Sequence, residues 1–310
     1  MAKKFQKEIV TNQLTLTTAI ISSVVIWVVC YLVRPVANLE ETIGAYVLYA
    51  LIGYLLIVLN KSFSIIRLRA SFQTVIFLIL TSIYSAIHTL YVGNIMATCC
   101  LISIFFLFSS FQKEWSAGIL FHAFIFWGLG CVLVPKIVWL VPFMWYSCYV
   151  FRSLNFRSFV ASIFGWSIPI GGFAVYDYLN NQGIGFIDKI VEVTKIEGIS
   201  LENLQLPIVV MLLFLFIIFV VSAIHSILYS MDEKVQTRSY LQHLIVAVSI
   251  LFLVAFSCLS ITLHLMPLIL IGIGLLYGHF STLTNSKWSN IFFISILLFT
   301  IPIFIINLLF

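Results

Sequence analysis

The chain has 310 residues; 62% are hydrophobic, 16% aromatic and only 9% charged, with a net charge of +5 and a mean hydropathy of +1.16. An average soluble domain carries about 25% charged residues, so this composition excludes a soluble globular enzyme, a disordered chain and a nucleic-acid-binding domain. What it fits is an all-α, polytopic transmembrane helix bundle.

The basic N-terminus, MAKKFQKEIVTNQ, leads into an apolar run with no small-residue cleavage site, which reads as a retained first helix. A spanning helix needs about 20 apolar residues. Candidate spans cover roughly 14–34, 44–60, 70–88, 92–111, 116–134, 137–151, 158–177, 207–230, 241–260, 265–283 and 289–309. Several are short or abut one another, so ten or eleven spans are expected. Continuous apolar runs, rather than alternation, exclude a membrane β-barrel.

Placing the N-terminus inside puts Lys3, Lys4, Lys7, Lys61, Arg67, Arg69, Lys113, Arg152, Arg157, Lys234, Arg238 and Lys287 on the inner side. Only Arg34, Lys136, Lys189 and Lys195 fall outside. The positive-inside rule therefore predicts an inner N-terminus and an outer C-terminus. Trp115, Trp139 and Trp288 fall near the expected interfaces, as an aromatic belt requires.

The longest outer loop, 179–206, separates a seven-span module, 1–178, from a four-span module, 207–310. Within it, GFIDKIVEVTKIEG puts Phe186, Ile187, Ile190 and Val191 on one face of a helix and charges on the other. This amphipathic stretch is expected to lie in the outer interface, either as a flap over an outer-facing site or as a short structural helix plugging the outer end of the bundle. The inverted repeat common in secondary transporters is missing.

Ionisable groups inside a membrane are costly and point to function. His122 lies deepest; its plain reading is a neutral imidazole bonded to a neighbouring helix. His225 and His279 sit toward inner helix ends, His88 and His264 toward outer ends. Cys30, Cys99, Cys100, Cys131, Cys148 and Cys258 form no CxxC pair, and no histidines have HExxH spacing, so no disulfide framework, metal site or cofactor is indicated. The outer helix ends are richer. Glu40 and Glu41 follow Arg34 in the first outer loop, where a carboxylate near a cation serves as a general base. Arg34, His88, Lys136, Asp177 and His264 are candidate substrate-binding groups, the cations suited to phosphate. For each, solvated interface charge or headgroup contact is the competing reading.

The stretch Asn94–Phe173 contains WGLGCVLVP, a tight turn, a Pro-containing span, the Arg-bearing FRSLNFRSF and FGWSIPIGG. This resembles a family of uncharacterised polytopic inner-membrane proteins of Bacteroidota. More distantly it is similar to the central helices of GT-C glycosyltransferases. The first resemblance implies an envelope role in a bacterial inner membrane. The second implies transfer of a sugar from a polyprenyl-phosphate carrier on the outer face, with a first-loop carboxylate as base; Glu40 and Glu41 stand in that place. Two other roles remain open: a non-catalytic subunit with a membrane-protein partner, and a transporter or lipid flippase built on Pro142, Pro169, Pro267 and Pro302.

Overall fold

The computed structural model describes residues 5–12, 14–33, 35, 38–66, 71–89, 91–181, 183–194 and 206–309. Among them the chain forms thirteen α-helices and no strand. They are α1 (Phe5–Thr11), α2 (Leu14–Val33), α3 (Leu39–Phe63), α4 (Phe72–Ile83), α5 (Val92–Ser109), α6 (Ala117–Leu133), α7 (Val141–Val150), α8 (Phe156–Asn181), α9 (Ile184–Thr194), α10 (Leu206–Leu228), α11 (Val235–Ser257), α12 (Leu259–Leu283) and α13 (Lys287–Leu309). Eight are long and apolar enough to cross a membrane: α2, α3, α5, α8, α10, α11, α12 and α13. The protein is an all-α, multi-pass integral membrane protein whose lipid-facing helices satisfy their own backbone groups.

The expected ten or eleven spans are thus eight by length, with α4 and α6 as shorter apolar helices. The run read as 70–88 breaks at Tyr84, which is extended, before a 3₁₀ turn at Ser85–Ile87. Eleven residues of α4 are buried, so protein covers this segment, and non-helical backbone is tolerated where protein covers it. The run read as 137–151 is a 3₁₀ turn, Pro135–Leu140, followed by the ten-residue α7. Pro135 ends α6 by forcing Val134 into the extended region (φ −128°, ψ 96°).

The chain divides into two compact units. Unit 1 comprises residues 1–91, 200–248 and 269–310; unit 2 comprises 92–199 and 249–268. Lipid tails are as apolar as leucine, so hydrophobicity does not press such helices together; close packing of small residues and interhelical hydrogen bonds do. In unit 1, Thr74 Oγ1 donates to the Gly53 carbonyl (3.0 Å), and a Cβ on Gly53 would lie 3.1 Å from the Thr74 methyl. Gly274 and Gly278 of α12 lie against the Gln73 backbone in the same way. Gln6 of α1 ties the chain start to the α12–α13 turn. Its side chain donates to the Ser281 carbonyl (2.8 Å), and its backbone N–H donates to Asn290 Oδ1 (2.9 Å).

Unit 2 is built on the α6–α8 contact. A Cβ on Gly128 would meet the Trp166 carbonyl at 2.8 Å, and one on Gly165 would run into the Phe121 carbonyl. Ser103 Oγ donates to the Ala123 carbonyl (2.7 Å), joining α5 to α6. Trp145 Nε1 donates to Ser162 Oγ (2.9 Å), joining α7 to α8. Asn155 and Ser158 exchange side-chain and backbone hydrogen bonds, both 2.8 Å, and so satisfy orphan donors at the start of α8.

Candidate functional site

Three groups of polar residues stand out, one in unit 2 and two in unit 1. The first gathers around α9. Asp177, near the end of α8, is only 3% exposed. Its Oδ2 accepts from the Phe186 backbone N–H (2.8 Å) and its Oδ1 from the Asn181 amide (3.0 Å). It therefore caps the first turn of α9 from outside that helix, satisfying a donor that would otherwise be orphaned. Gly185 makes room for this: a Cβ there would lie 2.8 Å from Asp177 Oδ1. Lys189 also turns inward. Its ammonium donates to the Val132 carbonyl at the end of α6 and sits 4.6 Å from the Phe173 ring centre. Burial pulls the Lys189 pKa below the ordinary lysine value, opposed by the charges of Glu192 and Asp177. Trp139 Nε1 reaches the Val193 carbonyl (3.4 Å).

Two other expected residues belong to this unit. Lys136 lies in the 3₁₀ turn that packs on α9 and is only 2% exposed. His264 of α12 is within electrostatic reach of Glu192. The structure thus brings Lys136, Asp177 and His264 into one unit, and two of them against the α9 region, together with Lys189 and Glu192. Sequence reading set Lys189 on the charged side of the amphipathic stretch, and the structure gives its ammonium the Val132 carbonyl and the Phe173 ring as neighbours.

The second group lies in unit 1. Glu40 and Glu41 occupy the first turn of α3 and are exposed, a favourable position for carboxylates beside the positive helix end. Arg34 lies outside the described residues. Next to these acids an apolar groove of about 280 Å³ opens between α2 and α3. Val24, Trp27, Tyr31, Leu39, Ile43 and Tyr46 are among its lining residues. His88, expected as a binding group, is buried behind it. Its ring stacks on Trp27 at 3.8 Å and 18°, and its Nε2 lies 3.0 Å from the Thr81 carbonyl. In this position it holds the Trp27 indole, and through it the groove wall.

The third group was missed as a site. A cleft of about 650 Å³ lies where α10, α11, α12 and α13 end or begin, with His225, Tyr229, Asp232, Glu233, Asn285 and Trp288 among its lining residues. Behind it His279 Nε2 is 3.6 Å from Glu233 Oε1, both side chains almost fully buried. The sequence did carry a signal: two histidines near inner helix ends and an adjacent acid pair fall on the same predicted side. Their proximity depends on packing between helices distant in sequence. His122, by contrast, is exposed on α6 with its ring 5.6 Å from Phe106, rather than bonded between helices. All six cysteines are free, and no group of three or more metal-ligating side chains occurs among the described residues. No family profile, curated protein or solved structure matches the chain.

Proposed function

We propose that this integral membrane protein is an envelope transferase of the GT-C kind, taking a sugar from a polyprenyl-phosphate carrier. The observation that supports the reading is the apolar, aromatic-walled groove beside the Glu40–Glu41 turn. A long isoprenoid chain is the part of such a substrate that needs an apolar channel, and its reactive end needs a carboxylate nearby. In the proposed step a glutamate carboxylate takes the proton of the acceptor hydroxyl as that oxygen bonds to the anomeric carbon. The bond from that carbon to the carrier phosphate breaks, and polyprenyl phosphate leaves. Lys3, Lys4 and Lys7 before α2, against Arg34 alone just after it, support an inner N-terminus with the Glu40–Glu41 end outside.

The test is transfer from synthetic polyprenyl-phosphate sugars in proteoliposomes. Glu40→Gln with Glu41→Gln abolishes transfer while the chain stays folded, with stability lowered only by the lost helix-end charges, about 0.3–1 kcal/mol each, because both side chains are exposed. Undiminished transfer by the double variant would remove the proposed base. A stable co-purifying membrane protein with no transfer by the parent chain would favour the non-catalytic subunit instead.

A further inference from the structure

The α9 helix is amphipathic in an unusual sense. Its charged residues Lys189 and Glu192 lie partly covered by the protein, while Ile184, Ile187, Ile190 and Val191 are 61%, 59%, 51% and 41% exposed. At 100° per residue these four occupy one arc of about 120°. A flap moving in water would present its charges outward and its isoleucines inward. Here Asp177 and Lys189 commit their polar atoms to fixing the opposite face.

We infer that α9 lies in the membrane interface with this isoleucine face buried in lipid. Three observations choose lipid over a protein partner. The helix packs against α8, which is long and apolar enough to span and whose Tyr176 and Leu179, close in sequence, are 63% and 76% exposed. Trp139, 60% exposed, donates to Val193 at the end of α9, and so combines an apolar ring with a polar tip as interfacial tryptophans do. The apolar arc is uncharged, with Asp188 exposed at its flank, the pattern of a helix lying flat with its charge at headgroup level. On this reading α9 is a lipid-anchored cover over the ends of α6 and α8, and Lys136 and Asp177 are shielded from bulk water by the membrane surface as well as by protein. The inference is independent of any catalytic role.

Site-directed spin labelling in proteoliposomes tests it. Ile187→Cys, Ile190→Cys and Asp188→Cys are labelled one at a time. The parent chain is labelled in parallel to measure background from its six cysteines, five of them buried. Collision with oxygen, which concentrates in lipid, is compared with collision with a water-soluble nickel chelate. The expected result is an oxygen-to-nickel ratio several-fold higher at Ile187 and Ile190 than at Asp188. A nickel-favoured ratio at Ile187 and Ile190 would overturn the inference in favour of an aqueous flap. Shielding of both sites from both reagents would overturn it in favour of a protein contact.

Discussion

Gly165→Ala tests the α6–α8 contact on which unit 2 is built. The added methyl runs into the Phe121 carbonyl, with Phe121 Cα at 3.3 Å. Backbone cannot rotate aside, so α6 and α8 must separate by a fraction of an ångström to about one. A gap of that size forfeits a quarter to a half of each van der Waals contact across the interface, and overpacking of this kind costs about 1–3 kcal/mol. Alanine's better helix propensity returns up to about 1 kcal/mol. The balance is a destabilisation of about 1–2 kcal/mol, a five- to thirty-fold fall in the ratio of folded to unfolded protein. Gly171→Ala on the same helix is the control, because its Cβ would meet nothing within 4 Å; it gains the propensity term alone. The assay is thermal or denaturant unfolding in matched detergent. If Gly165→Ala is as stable as Gly171→Ala, the close approach of α6 and α8 is not what holds unit 2 together.

Three further outcomes follow from the same geometry. Asp177→Ala removes the acceptor for the Phe186 N–H and the Asn181 amide; loss of such a cap costs about 1–2 kcal/mol, read as faster amide hydrogen exchange confined to α9. Trp27→Ala removes the indole that stacks on His88 and packs edge-on to Tyr46 and Tyr49, costing about 3–5 kcal/mol; an unchanged melting temperature would contradict this. The depressed pKa of Lys189 means that the folded chain binds fewer protons than the unfolded chain just below the ordinary lysine range. Stability therefore rises with pH through that window, and Lys189→Met flattens the rise in a melting-temperature series.

Much of the fold was legible because membrane helices are written locally. Each of the eight long helices coincides with an apolar run, since every residue facing lipid must be apolar whatever its neighbours are. Where helix bounds differ from the apolar runs, breaks in the backbone are the cause: the extended Tyr84 closes α4 and Pro135 closes α6, and hydropathy registers neither. The amphipathic stripe of α9 was equally legible, but its orientation was not. Which face turns inward depends on Asp177, Val132 and Phe173, partners supplied by other helices.

The same division applies to the candidate sites. From the sequence alone came the membrane class, the scarcity of ionisable groups and the short roll of polar helix ends, including Glu40, Glu41, Lys136, Asp177 and His264. Their fates could not come from it. Lys136 and Asp177 are buried while Glu40 and Glu41 are exposed, His88 is spent on Trp27, and Glu233 finds His279 across 46 residues of chain. Hydropathy is a property of each residue and its immediate neighbours, so sequence determines it outright. Convergence of side chains is set by helix packing through glycines and hydroxyls on distant segments, and only the tertiary structure decides it.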